Sequence, residues 1–334
     1  MDGRDKKPLV SVVMPCWNAE RWMRESIECA LAQTYANKEV ILVDDGSTDR
    51  SLEIAKSFGD RVRVEEEAHG GLSAARNRLT RLSRGEFIQY FDCDDLMDRE
   101  KIERQVEVAL AHPGCVVYGP WRYVRYGPDG TVLETEEQQT EAVGEDEDIL
   151  AMALRGWYCP AHSYLWPREA LETVGAWDES LIVGTDPDYA MRALVAGVRF
   201  VYAPGAWVDY HLHEAPRLST RRLARYLRSR VRSIRKIQRM LEGQGRLRAE
   251  YRRAIARRYD EFSRIHWEDC RATSAWTTLA ARRISGRPTE EGAWYYRLWR
   301  RAFGLYCAEN AAVLKRRIRG LFTTKTRRHG KGEQ

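Results

Sequence analysis

The sequence has no apolar run that approaches the roughly 20 residues needed to cross a bilayer. Residues 1–8 are charged and lack the apolar core of a signal peptide. The 7 cysteines are scattered and never spaced as Cys-x-x-Cys, which argues against a disulfide framework and against a zinc site. These absences predict a protein of the reducing cytoplasm, with peripheral attachment to the inner face of a membrane left open.

Glycine is missing where two classes of nucleotide-binding enzyme need it. No Gly-x-Gly-x-x-Gly follows the first predicted strand, Val10–Pro15, which disfavours nicotinamide and flavin enzymes. Pro15–Glu20 contains no glycine, whereas sugar-nucleotide pyrophosphorylases usually carry a Gly-rich, Arg-containing loop at this place. Both classes are therefore poor candidates.

The net charge of +6 combines an acidic front part with a very basic tail. Residues 217–334 hold 32 Lys and Arg against 10 Asp and Glu, whereas residues 1–216 hold 23 against 39. This change predicts two segments, a folded domain over 1–216 and a basic, arginine-rich helical extension over 217–334. A chain of 334 residues with 43% hydrophobic residues is long enough for both.

Apolar strands alternate with helices of about a dozen residues along the front part. The predicted strands there are Val10–Pro15, Val40–Val43, Val62–Val64 and Phe87–Phe91, and the predicted helices are Ala19–Gln33 and Leu72–Ser83. This alternation is typical of βαβ units, so we expect an α/β fold with a mixed, mostly parallel sheet flanked by helices. Ligands bind beyond the carboxyl ends of such strands, where Pro15–Asn18, Asp44–Ser47 and Asp92–Asp95 lie.

Three carboxylates, Asp92, Asp94 and Asp95, follow the strand Phe87–Phe91. Residues two apart in an extended segment point the same way, so Asp92 and Asp94 are expected to converge. Like charges held close need a cation between them, or their pKa values rise. Hard oxygen ligands suit magnesium or manganese, so the pattern predicts a divalent-metal site. An acidic turn that caps the next helix is the alternative.

The extension is predicted to be helical over Arg221–Leu241, Leu247–Ile265, Ala293–Phe303 and Val313–Phe322. The first of these helices has one apolar face and one arginine face. Its charge suits an anionic membrane surface, whereas a helical appendage packed on the front domain, or forming a dimer, is the other interpretation. The acidic stretch Glu134–Asp148 is expected to be a solvated loop or a substrate lid.

Several motifs occur in a fixed order: Val-Ser-Val-Val-Met-Pro-Cys-Trp-Asn-Ala-Glu, Ala-Gln-Thr-Tyr, Val-Asp-Asp-Gly-Ser-Thr-Asp, Gly-Gly-Leu-Ser-Ala-Ala-Arg-Asn and Asp-Cys-Asp-Asp. This set closely resembles the family 2 glycosyltransferases of GT-A fold. The match is dense from about Pro8 to Leu110 and looser through Gly175–Leu194 to Tyr210–His213. The resemblance implies that residues 1–216 are a catalytic domain. It also implies a nucleotide-diphosphate-sugar donor, most often a UDP-sugar, a divalent metal such as manganese or magnesium, and transfer with inversion.

The resemblance also implies roles for individual residues. The donor-binding set is Pro15, Trp17, Asn18, Asp45, Gly71, Arg76, Asp92 and Cys93. The metal set is Asp92, Asp94 and His213, with His211 as a competitor to His213. Asp186 matches the catalytic base, with Asp188 in reserve, and Thr185 stands where the family usually has glutamate. Trp177, Asp178 and Glu179 match an acceptor-side loop that offers an aromatic face to carbohydrate.

The sequence leaves the donor sugar, the linkage and the oligomeric state open. The acceptor implied by the resemblance is a hydroxyl of a glycan or lipid-linked molecule, in cell-surface polysaccharide or glycolipid synthesis. A non-catalytic module that binds an acidic polymer or nucleic acid through the basic tail is the alternative. The presence of Asp45, Asp92, Asp94 and Asp186 together argues against that alternative, because a fold without catalysis has no chemical need for all four.

Overall fold

The computed structural model describes residues 7–127, 131–139, 142–144, 147–212, 223–265 and 271–285. The strands are β1 (Val10–Cys16), β2 (Lys38–Asp45), β3 (Arg63–Glu67), β4 (Phe87–Tyr90), β5 (Leu96–Met97), β6 (Val116–Tyr118), β7 (Trp121–Tyr126), β8 (Val132–Gln139), β9 (Tyr164–Pro167), β10 (Phe200–Tyr202) and β11 (Val208–His211). The helices are α1 (Met23–Leu31), α2 (Ser51–Lys56), α3 (Leu72–Leu82), α4 (Lys101–Ala111), α5 (Ile149–Arg155), α6 (Arg168–Val174), α7 (Thr185–Val195), α8 (Leu223–Gly243), α9 (Ala249–Ile265) and α10 (Arg271–Ser285).

The larger sheet has seven strands in the order β10-β6-β9-β4-β1-β2-β3. Its centre is parallel, with β1 between β2 and β4, while β9 runs antiparallel between β4 and β6. Val12, Val13 and Ile41 are fully buried, because helices cover both faces and the central strands are apolar throughout. The predicted α/β fold with a mostly parallel sheet is confirmed.

A second sheet has four strands in the order β5-β11-β7-β8. Strand β8 overlaps the start of the acidic stretch Glu134–Asp148, which was expected to be a loop or lid, and its side chains are largely exposed. It pairs antiparallel with β7 through backbone hydrogen bonds. Those bonds need no apolar side chains, and a charged edge strand is a common protection against further pairing. The expected loop is therefore wrong for the part of the stretch in β8.

In the extension, α8 packs against α7, α9 packs against α5, and α10 packs against α9. Their buried side chains form one hydrophobic cluster with Leu150, Leu154, Met191 and Val195. Its members from the extension include Leu227, Ile234, Ile237, Leu241, Ile255, Tyr259 and Phe262. Other residues of α7, among them Ala193, belong to the main core instead. Helix α7 therefore joins the sheet domain to the helices that follow it.

Helices α8 and α9 confirm two predicted helices to within two residues at each end. Helix α10 was not predicted, because its serine and threonine residues lower helix propensity and obscure its period. The predicted helices Ala293–Phe303 and Val313–Phe322 lie outside the described residues. Among the helices that the structure describes, none combines the length and apolar character needed to cross a membrane.

Candidate active site

The carboxyl ends of three adjacent strands form one rim of the larger sheet. Cys16 at the end of β1 is level with Asp44 on β2, and Val13 on β1 is level with Tyr90 on β4. The polar segments that follow these strands therefore lie side by side, as the sequence predicts. Pro15 is buried within β1, one residue before that strand ends, and is level with Val43 on β2.

Asn18 locks the segment after β1 to the segment after β2. Its φ of 50° lies in the left-handed region, which asparagine tolerates better than most residues. The Asn18 backbone N–H donates to Ser47 Oγ at 2.9 Å, and its Oδ1 accepts the Thr48 backbone N–H at 2.7 Å. Asn18 is thus engaged in holding the two segments together.

Trp17 presents the exposed aromatic surface on this rim. Its side chain is 41% exposed, and it stacks on His69 with ring centroids 4.8 Å apart and an interplanar angle of 26°. His69 in turn lies 2.9 Å from Asp45 Oδ2 through its Nδ1. Trp17 and Asp45 are therefore joined by one imidazole ring at the place where the resemblance puts the nucleobase.

Asp45 is nearly buried, and it organises the turn before α3. Its Oδ1 accepts the Gly70 N–H at 2.7 Å, and its Oδ2 accepts the Gly71 N–H at 2.9 Å. Gly71 has a φ of 93°, which a residue with a side chain would adopt only under strain. Gly71 is needed for its backbone conformation and Gly70 for space, because a Cβ at position 70 would lie 3.0 Å from Ala74 Cβ.

Arg76 on α3 is completely buried between two carboxylates. Its Nη1 donates to Asp186 Oδ1 at 2.5 Å, and its Nη2 donates to both oxygens of Asp92 at 3.0 and 3.1 Å. The guanidinium also lies 4.6 Å from the centre of the Trp177 ring. Burial by itself lowers the pKa of Arg76, but the charges of Asp186 and Asp92 more than offset this and raise it.

This burial corrects the role expected for Arg76. The resemblance places an arginine fork on the diphosphate or the base, yet here the fork is filled by two side chains of the protein itself. In this arrangement Arg76 links Asp186 to Asp92 and has no exposed surface for a donor. Cys93 is likewise buried, beside Cys16, so its side chain does not face the rim.

The acidic segment after β4 is a turn, which contradicts the expected extended backbone. The Asp95 N–H points back to the Asp92 carbonyl at 3.4 Å, and a short strand begins at Leu96. Asp92 and Asp94 therefore do not converge through strand alternation. The carboxylate that approaches Asp92 is that of Asp95, together with His162.

Asp92, Asp95 and His162 could hold a cation. One ligand atom from each lies within 4.8 Å of the other two. Burial raises the pKa of Asp92 to about 6, since the opposing charge of Arg76 is offset in part by Asp186 and Asp94. Burial, with the charges of Asp94 and Asp92, also raises the pKa of Asp95 well above its usual range. A bound cation would relieve this crowding of negative charge.

His162 is fully buried, and neither ring nitrogen has a hydrogen bond. Its Nδ1 is 3.0 Å from Asp95 Oδ2 but lacks the direction of a hydrogen bond. Burial lowers the pKa of His162 to about 3, with Lys101 adding to the effect, so the ring is neutral, the form that binds metals. A neutral imidazole that has no hydrogen bond and lies near two carboxylates is suited to bind a divalent cation.

No sequence motif points to His162, whereas the family resemblance implies His213, with His211 as a competitor, near the metal. His213 lies outside the described residues. His211 donates its backbone N–H to Asp95 Oδ1 at 2.9 Å, and its ring packs against Trp22 and Tyr126. His162 lies 67 residues after Asp95 in the sequence and is part of no motif, so nothing in the sequence indicates that the two side chains are close.

Asp186 stands in the first turn of α7 and is held on three sides. Besides Arg76, it accepts the Ala161 N–H at 3.2 Å and the Thr185 hydroxyl at 3.2 Å. Burial raises the pKa of Asp186, but Arg76 and these hydrogen bonds reverse the effect and lower it. The side chain remains 22% exposed, so an ionised carboxylate is presented to the rim.

Asp188 is not suited to its reserve role as base. It is only 1% exposed, Arg192 Nε donates to it at 3.1 Å, and Lys236 Nζ lies 3.0 Å from each of its oxygens. A substrate hydroxyl cannot reach a carboxylate that is enclosed in this way. This leaves Asp186 as the candidate base.

The loop Trp177–Glu179 has internal contacts that correct its expected role as an aromatic platform. Trp177 is 4% exposed and stacks on Tyr189 at 4.0 Å, so its faces are covered. Asp178 pairs with Lys236, and Glu179 accepts Asn77 Nδ2 at 2.8 Å. The contacts with Lys236 and Asn77 hold the loop in place, and in this structure the Trp177 indole is not available to a sugar.

Comparison with known proteins places the chain in a family. The model of glycosyl transferase family 2 matches residues 11–175. An uncharacterized glycosyltransferase of Rickettsia typhi is 31% identical over 216 residues, which are 64% of this chain and 67% of that protein. This chain belongs to glycosyltransferase family 2.

Other family 2 relatives share part of their length with it. An uncharacterized glycosyltransferase of Rickettsia bellii is 38% identical over 198 residues, which cover 58% of this chain but 28% of the relative. Among solved structures, S. aureus TarS 1–349 in complex with UDP-GlcNAc superposes with a TM-score of 0.64 at 18% identity, covering 92% of this chain and 91% of TarS 1–349. At that identity the likeness shows the fold alone.

Proposed function

We propose that this family 2 glycosyltransferase is a metal-dependent, inverting enzyme. It moves a sugar from a nucleotide-diphosphate-sugar, most readily a UDP-sugar, to a hydroxyl of a glycan or lipid-linked acceptor. The observation that carries the proposal is the Arg76 bridge, which ties the candidate base Asp186 to the acidic turn at Asp92. The likeness to TarS, which was solved with UDP-GlcNAc, supports a UDP-sugar donor.

The nucleotide is proposed to bind over the ends of β1 and β2. The exposed part of Trp17 offers an aromatic surface to the base or ribose. Asp45 Oδ1 already accepts the Gly70 N–H, but its second lone pair can take a base N–H. Asp45 Oδ2 is occupied by the Gly71 N–H and lies 2.9 Å from His69 Nδ1. Gly71 has no side chain, and a Cβ at this position would meet no atom within 4 Å. The space at the start of α3 is therefore open to the donor.

The proposed metal ligands are Asp92, Asp95 and His162, with Asp94 next to them. When bound, a divalent cation would neutralise charge that develops on the departing nucleoside diphosphate. Arg76 holds the Asp92 carboxylate by both oxygens and so fixes its direction. The proposed role of Arg76 is therefore to position carboxylates on both the donor side and the acceptor side.

Asp186 is proposed to take the proton from the acceptor hydroxyl as that oxygen attacks the anomeric carbon. Its lowered pKa keeps it ionised at neutral pH, so it is ready to accept a proton. The Ala161 N–H and the Thr185 hydroxyl hold the carboxylate in one orientation. In an inverting transfer the base lies on the side of the anomeric carbon opposite the leaving group. The proposed role of the Arg76 bridge is to keep the distance between Asp186 and Asp92 constant.

A thermal-shift panel of UDP, GDP, CDP and dTDP, each with and without Mn²⁺, tests this proposal. A ligand at a hundred times its dissociation constant adds about 2.7 kcal/mol to the free energy of unfolding. We expect a Mn²⁺-dependent shift with UDP that is lost in Asp45→Ala and kept in Asp186→Asn. If none of the four nucleotides stabilises the protein, a donor site on this rim is ruled out.

An anionic membrane surface is a proposed partner of the extension. The exposed arginines of α8 recur at helical spacing and form a stripe, Arg225, Arg228, Arg232, Arg235 and Arg239. Basic residues near such a surface contribute about 1 kcal/mol each. We expect Arg225→Glu, Arg228→Glu and Arg239→Glu together to weaken co-sedimentation with phosphatidylserine vesicles at least about a hundredfold. Reversal of the exposed Arg81, Arg99 and Arg199 is the matched control, and equal loss in both variants would contradict the proposal.

A further inference from the structure

Three tyrosines, to which the family resemblance gives no role, line the side of the site next to Asp186. Tyr123 on β7 and Tyr210 on β11 are register partners in the second sheet, and their rings lie edge to face at 5.4 Å. Tyr158 comes from the loop that joins α5 to the short helix at Ala161, and its hydroxyl is 3.0 Å from that of Tyr123. We call Tyr123, Tyr158 and Tyr210 the tyrosine wall.

The tyrosine wall is close to both halves of the candidate active site. Its loop donates the Ala161 N–H to Asp186 at 3.2 Å, three residues beyond Tyr158. Burial raises the pKa of the Tyr158 hydroxyl, and its hydrogen bond to Tyr123, the Tyr123 and Tyr210 hydroxyls and the charge of Asp186 add to the rise in that order. On the other side, the ring of Tyr210 lies 6.0 Å from that of His162.

The wall is rigid but not enclosed. Each of its three members is half-buried, whereas Trp121 behind them is 2% exposed. The Trp121 ring packs against Tyr123 at 5.0 Å and Tyr158 at 5.4 Å, which fixes both rings. Half-exposed aromatic rings with hydroxyl groups at their edges can pack on the C–H face of a sugar and also hydrogen bond its hydroxyls.

We propose that the tyrosine wall is the acceptor subsite and that it binds a pyranose ring with one hydroxyl directed at Asp186. This inference rests on the proposed function, and it deepens that function by naming the acceptor as a carbohydrate. It also gives the aromatic contact a location other than Trp177, whose faces are covered by Tyr189 and Arg76. The Tyr158 hydroxyl then selects which sugar hydroxyl faces the base.

Saturation-transfer NMR with methyl glycosides tests the subsite without knowledge of the natural acceptor. The probes are the methyl pyranosides of glucose, galactose, mannose and N-acetylglucosamine, each added to the full chain with UDP and Mn²⁺. We expect at least one to receive saturation on its ring C–H protons. Tyr123→Ala and Tyr210→Ala should weaken its binding about five- to tenfold, while Tyr158→Phe should alter which protons are saturated.

Tyr202→Ala is the matched control, since Tyr202 is a half-buried tyrosine that packs on Tyr118 and is not a member of the wall. The thermal shift with UDP reports whether each variant is folded and binds the donor. Glycoside binding that persists in Tyr123→Ala and Tyr210→Ala would overturn the subsite, as would the absence of binding by all four probes to the wild type. Loss of the UDP shift in the wild type would instead contradict the proposed function, so the two failures are distinguishable.

Discussion

Lys236 provides a sharp test of whether the extension supports the catalytic residues. From α8, its ammonium pairs with Asp178 in the loop before α7 and with Asp188 inside α7. Two further contacts join the same parts: Arg232 Nη1 donates to the Ser180 carbonyl, and the Ile182 N–H donates to Ser229 Oγ. Lys236→Met removes the charge and keeps most of the side-chain volume.

The expected cost follows from the burial of the three groups. Asp188 is 1% exposed and keeps Arg192 as a partner, whereas the side chains of Asp178 and Lys236 are 22% and 26% exposed. A fully buried pair would cost about 3–5 kcal/mol when broken, and an exposed pair less than about 1 kcal/mol. We therefore expect Lys236→Met to lower the free energy of unfolding by about 2 kcal/mol.

Denaturant unfolding at pH 7 measures this loss, with Lys56→Met as the control. The Lys56–Glu66 pair has side chains 56% and 55% exposed, so its removal should cost well under about 1 kcal/mol. Because Asp186 stands in the first turn of the helix that Lys236 braces, kcat should also fall while the shift caused by UDP is unchanged. If Lys236→Met costs no more than Lys56→Met and leaves kcat intact, the reasoning is refuted.

The pH dependence of the same variant has a defined sign. Burial raises the pKa of Asp178, but Lys236 and the Ser180 hydrogen bonds reverse this and lower it from 3.8 to about 2. A carboxyl whose pKa is lowered by folding contributes stability that is complete above its unfolded pKa and is lost as pH falls through its folded pKa. The stability difference between wild type and Lys236→Met should thus be constant from pH 7 to about 5 and shrink between pH 4 and 2.

Three further substitutions test the site. Arg76→Lys should destabilise the protein by about 3 kcal/mol in denaturant unfolding, because one ammonium cannot replace a fork between Asp92 and Asp186; an unchanged midpoint would refute the bridge. Asp186→Asn should lower turnover of the nucleotide-sugar donor by about 10²- to 10⁴-fold, the usual contribution of a general base, with the UDP shift intact; normal turnover would exclude Asp186 as the base. His162→Gln should weaken Mn²⁺ binding in calorimetry about tenfold or more, whereas equal affinity would remove His162 from the ligand set.

The features that follow from local pattern could be predicted from the sequence. Strand and helix alternation predicts the sheet, and the polar ends of three strands predict the shared rim with Asp45 and Asp92. The role of Asp186 as base is implied by the family resemblance and stays a prediction, while the structure places its carboxylate against Arg76. The sheet and the rim could be predicted because each depends on short stretches of sequence whose local structural preference agrees with the final fold.

The features that depend on contacts distant in sequence could not be predicted. The predicted convergence of Asp92 and Asp94 assumes that the extended backbone continues through Asp94. In the structure the chain turns here, with the Asp95 N–H directed at the Asp92 carbonyl. The burial of Trp177 depends on Tyr189 and on Arg76, which lies 101 residues earlier in the chain. His162 and the tyrosine wall likewise come from separate segments, and no spacing rule connects such segments before the fold is known.

Helix α7 belongs to two hydrophobic clusters at once, through Ala193 on one side and Met191 on the other. A perturbation that melts α8 would therefore also remove packing from the helix that carries Asp186. We expect the sheet domain and the described part of the extension to unfold in a single cooperative transition. The family model ends at residue 175, so the end of that match would then fall inside a unit of folding. Recombination between relatives at that position would separate side chains that stabilise one another.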